Sequence, residues 1–277
     1  MHVGILTAPI RSKPLAEVVP WAVTQGIAAL EIDVRPGSHL DATQVDDAAL
    51  EQAQGLLRQH GIRISSLACY ANLTGVSPED AEANRRSLEA AIRLAGKIGV
   101  DTVCTLAGFA APGKNKARTI TEDLPGVFQP LLELARENNT RIALENWFAT
   151  NIQHLEHWRA LFEAVPDAHL GLNFDPSHLD WQGIDVVGAV KEFRDRIFHV
   201  HAKDVSVDAA RLQRVGYQGD GWWRYTLPGY GRIRWGEFVT TLRQIGYDGV
   251  LSIEHEDGAF GAEEGFTKAA RYLNTLI

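Results

Sequence analysis

Four short stretches end in groups that could do chemistry: ALEN with Glu145, NFDPSH with Asp175, HVHAKD with His201 and SIEHE with Glu254. Each begins as an apolar, β-type run and carries a carboxylate or an imidazole at its C-terminal end. Side chains alternate faces along a strand. Ala143, Glu145 and Trp147 therefore share one face, as do Asn173 and Asp175, then His199, His201 and Lys203, and finally Ser252, Glu254 and Glu256. Charged groups on a buried face are costly to desolvate, so they need partners. Three carboxylates and one imidazole suit a single divalent cation. Mn²⁺ is the first choice, with Mg²⁺, Co²⁺ and Zn²⁺ also within range. No thiolate enters the set, which argues against a structural zinc site. His199, one layer below His201, reads as a core polar group or as a partner that orients the ligand.

Around these residues the chain alternates short β-rich runs with longer helical patterns. The strand candidates span 2–8, 27–33, 62–68, 101–107, 141–146, 170–175, 197–203 and 249–256. The stretches between them include DAALEQAQGLLRQHG and WGEFVTTLRQIGYDG, with apolar residues three and four apart. Gly26, Gly61, Gly99 and Gly246 follow helical patterns, where glycine favours the cap. Strand–helix alternation implies parallel strands. Eight such units in 277 residues predict an α/β protein with one (β/α)₈ TIM-barrel domain over 1–277. An open doubly wound sheet fits less well, because TAPIRSKP, not a Gly-rich phosphate loop, follows the first strand. In a barrel the C-terminal strand ends form the active site, where the four groups would converge. One connection is long, running from 205 to 234, and contains GYQGDGWWRYTLPGYGRIRW. A loop of that length is expected to be functional or mobile.

A net charge of −8 argues against nucleic acid or an anionic membrane as partner. No stretch approaches 18 apolar residues, so no membrane span is expected. The first residues, MHVGILTAPIRSK, read as a strand and not as a signal peptide. Cys69 and Cys104 form no disulfide framework and read as small core residues, which makes the cytoplasm the simplest setting. A homo-oligomer is compatible with all of this.

ALEN, NFDPSH, HVHAKD, PGYGRIRWGEF and GYDGVLSIEHE together resemble the xylose-isomerase-like TIM-barrel superfamily, in its sugar phosphate isomerase/epimerase branch. The resemblance covers nearly the whole chain. It implies that Glu145, Asp175, His201 and Glu254 bind one divalent metal and that His178 touches substrate or a second metal. His-x-Lys-Asp, here His201 to Asp204, is common in inosose dehydratase-like branches and gives Lys203 a substrate role. The chain departs from the apurinic endonucleases of the superfamily. LACYAN and TLAGFA supply no histidine, and no Asp-x-His follows the seventh strand. It also carries Asn151 and Val207 where free-ketose 3-epimerases carry Glu and Arg.

The chemistry expected is proton transfer next to a carbonyl by way of an enediolate, with Glu145 and Glu254 as the acid/base pair. Return of the proton to the same or the neighbouring carbon would make the protein an epimerase or isomerase of a sugar or keto-sugar. Expulsion of a β-oxygen would make it a dehydratase or other lyase on a keto-sugar, inosose or keto-glycoside. A non-catalytic sugar-binding subunit is the remaining alternative. His178 and Lys203 are candidates for steadying a developing oxyanion. Trp147 and Trp222, with Trp223 and Tyr225, are candidates for the walls against a small sugar or polyol. Arg224, Arg232 and Arg234 keep a phosphorylated substrate open.

Overall fold

The computed structural model describes residues 1–277. All eight expected strands form, somewhat shorter than the sequence suggests: β1 (His2–Leu6), β2 (Ala29–Asp33), β3 (Arg63–Ala68), β4 (Thr102–Leu106), β5 (Arg141–Glu145), β6 (Leu170–Phe174), β7 (Ile197–Ala202) and, after two further short strands, β10 (Val250–Ile253). Neighbours pair in parallel around the ring, and β1 closes it by pairing with β10, His2 opposite Val250. The result is a (β/α)₈ barrel. Helices separate successive barrel strands and pack their apolar faces on the outside of the barrel.

Local chemistry sets the helix ends. Asp46 caps the helix Asp47–His60 by accepting from the amide of Ala49, and Ser77 caps Pro78–Ile98 by accepting from Asp80. Gly61 and Gly99 end those two helices in the left-handed region that glycine enters without a Cβ clash. No helix is long and apolar enough to cross a membrane.

The connection from 205 to 234, read from the sequence as one long loop, contains regular structure. β8 (Asp204–Val207) and β9 (Trp223–Thr226) pair antiparallel, with the short helix Ala209–Val215 between them. One buried carboxylate ties this insertion to the barrel. Asp204 Oδ2 accepts from the Gly229 amide (3.0 Å), the Gly231 amide (3.2 Å) and the Trp235 indole (2.8 Å). Asp204 Oδ1 accepts from the amides of Val205 (2.8 Å) and Ile233 (3.1 Å). A Cβ at Gly231 would lie 2.2 Å from Asp204 Oδ1 and 2.4 Å from the Val205 carbonyl, so only glycine fits there. His-x-Lys-Asp and PGYGRIRW, read separately in the sequence, are thus two halves of one knot.

Candidate active site

Four adjacent barrel strands, in the order β10, β7, β6 and β5, deliver Glu254, His201, Asp175 and Glu145 to one end of the barrel. Glu145 is the last residue of β5, Asp175 and Glu254 come directly after β6 and β10, and His201 lies one residue before the end of β7. One donor atom from each lies within 4.8 Å of the others. Asp175 Oδ2 and His201 Nδ1 are buried and make no well-aligned hydrogen bond; their close polar neighbours are Lys203 Nζ, 3.1 Å from the first, and Glu254 Oε2, 3.0 Å from the second. Buried polar atoms are ordinarily hydrogen-bonded, so two lone-pair donors with no aligned hydrogen bond, set among converging carboxylates, fit a divalent cation with oxygen and imidazole ligands.

The other face of His201 explains why Nδ1 is the atom turned toward the carboxylates of Glu254 and Glu145. Its Nε2 lies 3.0 Å from Glu31 Oε2, 2.9 Å from the Tyr70 hydroxyl and 3.0 Å from Asn173 Nδ2. Glu31 also accepts from Tyr70 (2.6 Å) and Ser252 (2.7 Å). A carboxylate that accepts the Nε2 proton leaves the Nδ1 lone pair for a metal. Glu31 is fully buried, which raises its pKa, yet His201, His199 and these hydrogen bonds outweigh burial and hold it at about 2. Glu31, His199 and His201 form a second close group of donor atoms. Its members are already bonded to each other and to neighbours, since His199 Nδ1 meets Asn173 Oδ1 at 2.9 Å and its Nε2 meets Ser65 and Ser66. We therefore read it as the layer that orients His201. Strand register changes at Leu30/Glu31 and again at Leu172/Asn173, irregularities that re-aim the side chains of this layer.

Lys203 is almost wholly buried among the carboxylates. Its Nζ is 2.6 Å from Glu254, 3.1 Å from Asp175 and 3.2 Å from Glu256. Burial disfavours the ammonium, but these carboxylates and Glu145 together hold its pKa well above the ordinary range. Glu145 is held well below its ordinary value, because His178, His201 and Lys203 outweigh burial. Burial is also the leading influence on Glu256, which shifts upward, with Glu254 and Glu145 adding to it. The cluster is thus acidic and demands compensating positive charge.

A cavity of about 670 Å³ opens above these groups. Glu145, His178, Lys203 and Glu254 lie at it, and Trp147, Phe148, Trp223 and Tyr225 form an aromatic wall. Trp222, expected on that wall, is not there. It is buried against Trp181 and Tyr217. Alternation along β9 is the reason, because Trp223 and Tyr225 share the cavity face. Arg224, Arg232 and Arg234 are absent from the lining as well, since each pairs with a carboxylate, respectively Asp257, Asp180 and Glu237. Asn151 is buried and donates to Thr74 and to the carbonyls of Ala107 and Phe109, a structural role. Cys69 and Cys104 are buried free thiols.

Sequence reasoning did not single out Glu31, Tyr70, Arg35 or Phe148. Glu31 had a signal: ALEID, like ALEN, places an acid inside a buried strand. Arg35 reaches the cavity while its guanidinium is clamped by Asp33 at 2.9 and 2.8 Å. No local pattern marks Tyr70.

Comparison with known proteins agrees with the geometry. The Bacillus subtilis (strain 168) protein YfiH, itself uncharacterised, is 26% identical over 314 residues, covering 100% of this chain and 99% of the relative. The inosose dehydratase of Clostridium tetani is 27% identical over 158 residues, 55% of this chain and 53% of that protein. Among solved structures, the probable 3-DHS dehydratase AsbF from Bacillus anthracis superposes with a TM-score of 0.79 at 18% identity, covering 99% of each chain, which is a likeness of fold. The sequence profile of the xylose isomerase-like TIM barrel matches residues 19–276, and the chain belongs to that family.

Proposed function

We propose that this protein is a divalent-metal-dependent enzyme that moves a proton at the carbon beside a carbonyl of a keto-sugar or related polyol, giving an isomer or epimer. The observation that carries this reading is the convergence of donor atoms from Glu145, Asp175, His201 and Glu254 within 4.8 Å, with Asp175 Oδ2 and His201 Nδ1 making no aligned hydrogen bond. These four residues would hold the ion, for which Mn²⁺ suits the donor set best. Such an ion, when bound, withdraws electrons from a carbonyl oxygen and acidifies the neighbouring C–H.

The residues of the chain supply the rest. Glu145 ends β5 and Glu254 directly follows β10, the two outer strands of the four-strand arc. They can address a substrate from two sides, one taking a proton and the other returning it. His178 Nε2 and the Lys203 ammonium, 3.4 Å apart at the cavity, are the candidates to donate to a developing negative oxygen. The aromatic wall excludes water and offers flat faces to a sugar ring.

Cavity size bears on the substrate. At ~30 Å³ per water molecule, about 670 Å³ holds about 22 water-sized groups, whereas a free hexose has twelve non-hydrogen atoms. That room, part of it open to solvent, admits either a monosaccharide or a keto-sugar carrying a second ring, such as a keto-glycoside.

Dehydration is the second reading, favoured by the likeness to an inosose dehydratase over about half the chain. The test is NMR in D₂O of the Mg²⁺-loaded protein with a panel of ketoses, inososes and keto-glycosides. Deuterium gained at carbon with the skeleton intact supports proton relocation. Loss of water or of an aglycone supports the lyase. Exchange with no substrate, in a protein that also binds no divalent ion, refutes both.

A further inference from the structure

His178 has a partner on each side of its ring. Nε2 faces the acidic cluster, 3.2 Å from Glu145 Oε1 and 3.4 Å from Asp175 Oδ2. Nδ1 lies 2.8 Å from the hydroxyl of Tyr225. The ring is buried, so both nitrogens must be satisfied by these neighbours.

The donor inventory decides which nitrogen carries the proton in a neutral imidazole. Ionised carboxylates only accept, so Glu145 and Asp175 call for a proton on Nε2. The one competing donor is Lys203, whose Nζ stands 3.4 Å from Nε2. That ammonium already donates to Glu254 at 2.6 Å and Glu256 at 3.2 Å, both shorter contacts. With the proton on Nε2, Nδ1 must accept. Tyr225 can meet it, because burial pushes the phenol pKa far above its ordinary value and keeps the hydroxyl protonated.

Tyr225 does not belong to the barrel. It lies on β9, in the insertion between β7 and β10, with its backbone opposite Val205. The Asp204 knot holds the base of this insertion, and Arg224 ties β9 to Asp257 at 2.8 Å. The Tyr225 ring stands edge-on to His178, with centroids 5.3 Å apart, and the Lys203 ammonium lies 4.4 Å above its centre. One side chain thus touches both His178 and Lys203.

We infer that Tyr225 is a positioning residue: its hydroxyl donates to His178 Nδ1 and fixes the imidazole as an Nε2–H donor aimed into the site. The inference rests on the proposed function for its catalytic meaning. There, His178 Nε2–H would donate to the substrate oxygen that gains negative charge, and the β8–β9 insertion would control that donor through one hydroxyl.

The test reads the tautomer directly and needs no substrate. Long-range ¹H–¹⁵N spectra of the whole protein, metal-free and with Zn²⁺, would be assigned at His178 by the loss of its signals in His178→Gln. The expected result is a protonated Nε2 and an unprotonated, hydrogen-bonded Nδ1. Tyr225→Phe should keep the proton on Nε2 but shift the Nδ1 resonance toward that of a nitrogen without a donor. A proton on Nδ1 in the wild-type protein overturns the inference, as does an Nδ1 signal unmoved by Tyr225→Phe. Should that variant not fold, the wild-type spectrum alone decides. Once a substrate is in hand, Tyr225→Phe should lower kcat about tenfold or more with KM within about twofold, since a donor loosened at the transition state acts on kcat. Equal kcat values would remove the catalytic meaning. A protein that turned over none of the keto-sugars but showed the expected tautomer would separate failure of the proposed function from failure of this contact.

Discussion

Replacing Asp204 by Asn changes one atom and should cost the protein several degrees of thermal stability. The side chain is fully buried and its two oxygens accept from four backbone amides and one indole. The asparagine carbonyl is best spent on the Gly229, Gly231 and Trp235 donors. Its NH₂ group then faces the N–H groups of Val205 and Ile233, so two backbone donors and the amide's own hydrogens are left unmet. An unsatisfied buried donor costs about 1–3 kcal/mol, and each retained bond weakens by about 1 kcal/mol when the acceptor loses its charge. Against this, the variant no longer buries a carboxylate, a desolvation cost of several kcal/mol. The balance is a net loss of about 2–4 kcal/mol. At about 2 °C per kcal/mol for a chain of this size, the midpoint should fall by about 4–8 °C. The same knot positions Trp223 and Tyr225, so near-ultraviolet circular dichroism from the indoles should change together with the melting curve. A midpoint within about 1 °C of wild type would refute the idea that this carboxylate anchors the insertion.

Glu31→Gln keeps the shape of the buried layer but removes the charge opposite His201. It should weaken divalent metal binding about 10–100-fold, measured by calorimetric titration, and unchanged affinity would show that His201 needs no carboxylate to orient it. Glu254→Gln should abolish turnover of any substrate found by deuterium exchange, by at least about 10²-fold, while the fold is retained; a wild-type rate would take Glu254 out of the mechanism. Burial holds His199 down at about 4 from 6.5, against the attraction of Glu31. The unfolded chain therefore gains this proton first as the pH falls. Stability that is complete above pH 6.5 should decline toward pH 4 by about 3 kcal/mol. Urea melts across that range, compared with His199→Gln, would test this, and equal slopes for the two proteins would assign the acid sensitivity elsewhere.

The sequence by itself determined the barrel and the four converging residues. Apolar runs of strand length alternating with helical spacing leave few architectures, and all eight runs became barrel strands. Carboxylates and imidazoles at the ends of buried strands are costly enough to be informative wherever they occur. That is why Glu145, Asp175, His201 and Glu254 could be named from alternation alone. The tertiary structure decided what these residues touch. Glu31 meets His201 across 170 positions of sequence, and Tyr70 meets it across 131. Such pairs exist only because the barrel closes, and no local pattern encodes them. The pairing of β8 with β9 likewise decided that Trp223 and not Trp222 faces the cavity, since a one-residue change of register reverses every side chain. The arginines of the insertion found carboxylates outside the cavity, because the free energy of an ion pair depends on the neighbour that folding brings within reach.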